Sequence, residues 1–216
     1  TFNLSSGVTG QLDGGGLGAD ADVLNVAGNF TTPGAAFDVT DVETLADSGG
    51  FTVSTTNVLI NDARAAIGTA GAPFMIQATT LSLTGTNGDA YLNEADAIDL
   101  AGVNAGGVFN LTTNGAITQS GALHVVGATT LAAGAANDII LSDATNTLSS
   151  VGITSGNNVT LRDADALDLA ASTISGNLDV ATSGAITQSG ALYVAGTSSF
   201  NAGANTITLG NAANDF

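Results

Sequence analysis

The nonapeptide GAITQSGAL occurs twice in this chain, at 115–123 and again at 184–192, sixty-nine positions apart. The match runs well beyond those nine residues. Residues 93–131 align with 162–200 without a gap, and 19 of the 39 positions are identical. Where the copies differ, apolar positions stay apolar while their shapes change: Ile98 faces Leu167, Phe109 faces Leu178, Leu111 faces Val180 and Leu131 faces Phe200. Packed interiors tolerate that kind of exchange. With a one-residue slip the likeness continues, 137–148 against 205–216. A chain built this way stacks one structural unit on the next to bury a shared core.

A shorter beat lies inside the long one. A glycine followed by an alternating apolar pair recurs at Gly107, Gly127, Gly156, Gly176 and Gly196, at intervals of 20, 29, 20 and 20. The spacing predicts about three coils per long repeat, one of them carrying extra residues. Upstream the beat is looser, at Gly28, Gly50, Gly71 and Gly88. Residues 1–216 therefore read as a single segment, with divergent coils over 1–80 and regular repeats over 81–216.

The apolar runs are short and alternating (NVTL, NLDV, ALYV, DIIL, TTLSL), rich in β-branched residues and bounded by Gly, Asn, Asp and Ser. That is strand punctuated by turn. No window sustains a helical period, and EADAIDLA and DADALDLA read as strand with a corner. A propeller repeats at about 40–50 residues, whereas about 20 residues with three short strands suit one coil of a parallel β-helix. The expected fold is all-β: a right-handed parallel β-helix of about nine or ten coils, each of roughly 20–29 residues, making a rod roughly 45 Å long at the spacing of paired strands. Only two prolines interrupt it, Pro33 and Pro73, as expected where nearly every N–H must pair with a neighbouring coil.

The phrases GAITQSGAL, VGATTLAAG, GNNVTLRDADALDLAASTISGNLDV and FNAGANTITLGNAANDF resemble the repeat region of large bacterial surface adhesins of the filamentous-haemagglutinin type. The resemblance covers 81–216, and residues 1–80 share only its style. It implies a β-helical fibre on the bacterial cell surface, with adhesion or extracellular matrix building as its work. The implied partners are neighbouring repeats, copies of itself end to end, and a host or neighbouring-cell surface.

Charge narrows the classes. The net charge is −17, from 19 carboxylates against two arginines, Arg64 and Arg162, and no lysine. Phosphate binding needs Lys and Arg, so nucleic acid and anionic headgroups are disfavoured partners. No apolar run reaches the roughly 18 residues that a membrane-spanning helix needs, and Cys is absent. The first residues lack the basic and apolar regions of a signal peptide. With no initiator Met, the chain reads as a mature or excised piece of something longer.

The candidate chemistry is sparse. DGGGLGADADVLNV (13–26) resembles the calcium-binding nonapeptide G-G-x-G-x-D-x-U-x. Gly15, Gly16, Gly18 and Asp20 fit, while Asp22 stands where an apolar residue belongs. Asp20 and Asp22 are the candidate ligands of a calcium-like turn. One imperfect copy supplies about half of the six to eight oxygens that calcium takes, so an acidic Gly-rich turn is the competing reading and no cofactor is required. Glu94/Asp96/Asp99 and Asp163/Asp165/Asp168 occupy equivalent repeat positions. They read as a solvated edge that blocks lateral sheet pairing, the alternative being a row of weak divalent sites. His124, the sole histidine, aligns with Tyr193, so both read as exposed or groove-lining rather than catalytic. The expected function is a non-catalytic structural or adhesive rod, extracellular. The alternatives are a self-assembling filament or surface-layer subunit, calcium-assisted or not, and more remotely a two-carboxylate glycosidase on a β-helix.

Overall fold

The computed structural model describes residues 66–86 and 88–216, and ahead of them the strands Phe2–Leu4, Leu12–Asp13, Val23–Val26, Phe30–Thr40, Thr44–Asp47 and Val53–Asn61. Among the described residues there is no helix. The strands pair in parallel, each joining residues to others about a turn further along the chain. The fold is a β-solenoid of about seven turns. The nine or ten coils expected refer to the whole sequence.

Alternation puts the apolar residues inside. In Phe109–Thr113, Phe109, Leu111 and Thr113 are buried while Asn110 is half-buried and Thr112 exposed. Stacking the turns lines these residues into columns. Phe74, Leu92, Leu111, Leu131 and Ile153 form one, and Ile98, Ile117, Ile139, Val159 and Leu178 another, all at most 2% exposed. Each such side chain contributes about 1.5–3 kcal/mol by leaving water.

Each turn has three sides. In the later turns the sides are separate strands: Val159–Asp163, Leu167–Leu169 and Ser172–Ile174, then Leu178–Thr182, Ile186–Gln188 and Leu192–Val194. In the earlier turns one long strand often bends across two sides. Ile98–Ala105 pairs through Ile98–Leu100 with Ile117–Gln119 and through Val103–Ala105 with the start of Leu123–Ala132. One column shows how far the chain travels per turn. Ile98 pairs with Ile117, Ile117 with Ile139, Ile139 with Val159, Val159 with Leu178 and Leu178 with Ser198.

The longest step along this column is from Ile117 to Ile139, so one coil does carry extra residues, but fewer than the interval from Gly127 to Gly156 suggests. Gly127 N donates to Gly107 O at 3.1 Å, whereas Gly196 N donates to Gly176 O at 2.9 Å and Ser175 N to Gly156 O at 2.8 Å. The glycines thus mark two different corners, and the long interval spans one whole turn and the next side. The long repeat is about three coils, with one further side. Ile98 lies in the column of Ile117 and Ile139, but its counterpart Leu167 pairs with Ile186 on the following side. Phe109 pairs with Thr129, and its counterpart Leu178 with Val159 and Ser198, again one side on. From Ile98 to Leu167 the chain lays down ten sides, or three turns and a third.

Candidate functional site

The repeated nonapeptide is a hydrogen-bonding clasp. Its isoleucine enters the core, and each polar residue after it has a partner in another turn. Thr118 Oγ1 donates to Asp99 Oδ1 at 3.2 Å and Thr187 Oγ1 to Asp168 Oδ1 at 3.1 Å. Ser120 and Ser189 bind the second oxygen of the same two carboxylates. The Gln119 and Gln188 amides pair head to tail with Asn146 and Asn214 in the next turn. Those asparagines also accept Leu123 N at 2.8 Å and Leu192 N at 3.0 Å. The glycines are fixed by space. A Cβ on Gly115 or Gly184 would lie 2.5 Å from the backbone N of Ala97 or Ala166, and at Gly121 and Gly190 the neighbouring backbone is closer still. The motif is held at its core residue, its polar side chains and its glycines alike, which leaves little room for the two copies to diverge.

The acidic clusters divide in two. Glu94 and Asp163 are not a solvated edge: they are 0% and 2% exposed. Each closes a corner by accepting two main-chain N–H groups. Glu94 takes Ala78 at 2.9 Å and Asp96 at 3.0 Å, and Asp163 takes Leu148 and Asp165, both at 2.8 Å. Burial outweighs these bonds and pushes Glu94 up to about 7, and it raises Asp163 as well. Alternation was the signal for both, since Ala90, Leu92, Glu94 and Val159, Leu161, Asp163 are successive inward positions. Asp96 and Asp165 lie outside, while Asp99 and Asp168 are half-buried and held by the clasp. The clusters sit on different sides, so they form no single row. Among the described residues no three His, Cys, Asp or Glu side chains are gathered to hold a metal ion. Asp20 and Asp22 lie outside the described residues, as does Arg64. Arg162 pairs with Asp179 across one turn at 2.5 Å.

Among the described residues, shallow grooves of about 290 Å³ each open at two repeat-equivalent places on the outer surface. One is centred on His124, with Asn104 one turn before it and Thr147 one turn after. The other is centred on Tyr193, between Thr173 and Asp215. These are equivalent repeat positions. His124 Nδ1 and Thr147 Oγ1 are 2.8 Å apart, which orients the imidazole. Both rings are exposed, in keeping with the alignment of His with Tyr.

The repeating construction decides the relationship to known sequences. Residues 87–155 and 156–216 each match a family model described as repeats of unknown function, DUF5649. The chain belongs to this family. The first DUF5649 repeat has the same length as the stretch that makes ten sides, so the family unit and the structural unit coincide. Each DUF5649 repeat carries a clasp, a buried corner carboxylate and the ring at the centre of one groove. No curated protein and no solved structure matches the chain.

Proposed function

We propose that this chain is a structural, adhesive rod segment of an extracellular bacterial surface protein, with no catalytic role. The observation that carries the reading is the seamless join between repeats. The Ile98 column runs from the first DUF5649 repeat into the second without interruption, so copies add length while sharing one core. Quasi-one-dimensional stacks of this kind are suited to spanning distance. The acidic, lysine-free composition supports a rod that repels its neighbours and stays dispersed. The likeness to surface adhesin repeats supports the location.

The test is a series with one, two and four added DUF5649 repeats, imaged by electron microscopy, with protease shaving of cells expressing the tagged parent. Each repeat should add about 16 Å, from ten-thirds of a turn at about 4.8 Å per turn, and shaving should release the tag. A contour length that does not change with repeat number, or a tag released only by lysis, would overturn the proposal. Concentration-dependent filaments would favour a self-assembling subunit instead.

A further inference from the structure

We propose that the two ring-centred grooves are binding sites for uncharged saccharide chains, one per DUF5649 repeat. This deepens the adhesive reading by naming a partner, and it rests on that reading only for its biological setting. Each groove has an exposed ring in the middle of a three-rung outward ladder. Asn104, His124 and Thr147 form one ladder, and Thr173, Tyr193 and Asp215 the other. The side chain beside each ring is apolar and exposed, Val126 at 74% and its counterpart Ala195. A carboxylate borders each, Asp165 in the first and Asp215 in the second. A flat ring with an apolar neighbour receives the C–H face of a sugar. The amide, hydroxyl and carboxylate groups above and below receive its hydroxyls.

Three observations select the partner. Anionic polymers are repelled, because the chain carries −17 and no lysine. A protein partner needs about 800 Å² of complementary surface with an apolar centre. The exposed large apolar side chains among the described residues are Val126, Ile140, Tyr193, Ile207 and Phe216, spread over several turns rather than gathered in one patch. Shallow grooves open to the surface suit a chain lying across them, bound weakly at each site and strongly over many. The replacement of His by Tyr between repeats keeps a ring while its polar atoms change, so it is the stacking surface that recurs.

The chain has natural reporters, one histidine and two tyrosines, of which Tyr91 is half-buried outside the grooves. The ring resonances of His124, Tyr193 and Tyr91 would be followed by NMR on titration with neutral gluco-, manno- and galacto-oligosaccharides, a sulfated oligosaccharide and an oligolysine peptide. A neutral saccharide should shift His124 and Tyr193 and spare Tyr91, at millimolar concentration and independently of salt. His124→Ala with Tyr193→Ala should lower retention on the matching immobilised polysaccharide at least tenfold, with an unchanged circular dichroism spectrum. The proposal is overturned if no neutral saccharide shifts either ring, or if only oligolysine does so in a salt-sensitive way. Rod length per repeat is unaffected by these variants, so the two proposals fail separately.

Discussion

Replacing Asn146 with Ala should cost about 3 kcal/mol, and it should do so through the backbone groups that the side chain serves. Asn146 is 0% exposed and its side chain makes four hydrogen bonds. It accepts Leu123 N at 2.8 Å, donates to Arg162 O at 3.1 Å and pairs with both ends of the Gln119 amide. In the Ala variant the Leu123 N–H is left buried without an acceptor and Arg162 C=O loses a donor. Each such orphan costs about 1–3 kcal/mol, and the half-buried Gln119 recovers part of its loss from water. Asn214→Ala is the internal control. It removes the same bonds to Leu192 N and Gln188, but Asn214 is half-exposed and water replaces what is lost. Its cost should stay below about 1 kcal/mol. Denaturant unfolding gives the global value. Because a stacked repeat array need not unfold in one step, exchange of the Leu123 amide gives the local one, and protection there should fall by the same free energy. Equal losses for the two variants, or a loss under about 1 kcal/mol at Asn146, would refute this account of the clasp.

The remaining predictions concern the corners and the core. Burial raises Glu94 from an ordinary value of 4.5 to about 7, so its neutral form is favoured in the fold. The resulting stability is complete below about pH 4.5 and is lost as pH rises through 7, a change of roughly 3 kcal/mol. Melting temperature measured from pH 4 to 9 should fall across that window, and Glu94→Gln should flatten the fall; an unaltered slope would count against Glu94 as its source. Gly190→Ala should destabilise by at least about 2 kcal/mol, since its Cβ would collide with Ala171 backbone, whereas Gly210→Ala, with nothing within 4 Å, should stay within about 0.5 kcal/mol in denaturant unfolding. Equal effects would count against the close packing of that corner. Thr129 Oγ1 is buried without a hydrogen-bond partner, and Ser198 Oγ, its repeat counterpart, is in the same condition. Thr129→Val should therefore stabilise by about 1 kcal/mol in thermal unfolding; a loss would mean that the hydroxyl has a partner in solution.

The strands and their stacking were legible because alternation over three to five residues, cut by Gly, Asn and Asp, leaves few other ways to bury Ile98, Ile117 and Ile139. The sides were not. Gly127 and Gly156 look alike in a linear text although they occupy different corners, and no spacing records the direction in which a residue faces. The polar interior is hidden for a related reason. Charge alone groups Glu94 and Asp163 with their acidic neighbours, whereas their inward register and the nearby N–H groups govern where they go. Asn146 carries no local signal, since a buried asparagine is defined by partners far along the chain, Gln119 and Leu123 behind it and Arg162 ahead. The grooves are half visible: His124 and Tyr193 correspond in the alignment of the repeats, but their ladder partners emerge only once the turns are stacked.

A unit of ten sides on a three-sided coil has an evolutionary side effect. Unequal crossover between near-identical stretches such as GAITQSGAL would delete or duplicate one unit, and everything beyond the junction would then swing round by a third of a revolution as it moved along the axis. Gain or loss of three units restores the original heading. Length and bearing are thus geared together, and a lineage that varies its copy number also re-aims whatever the rod carries.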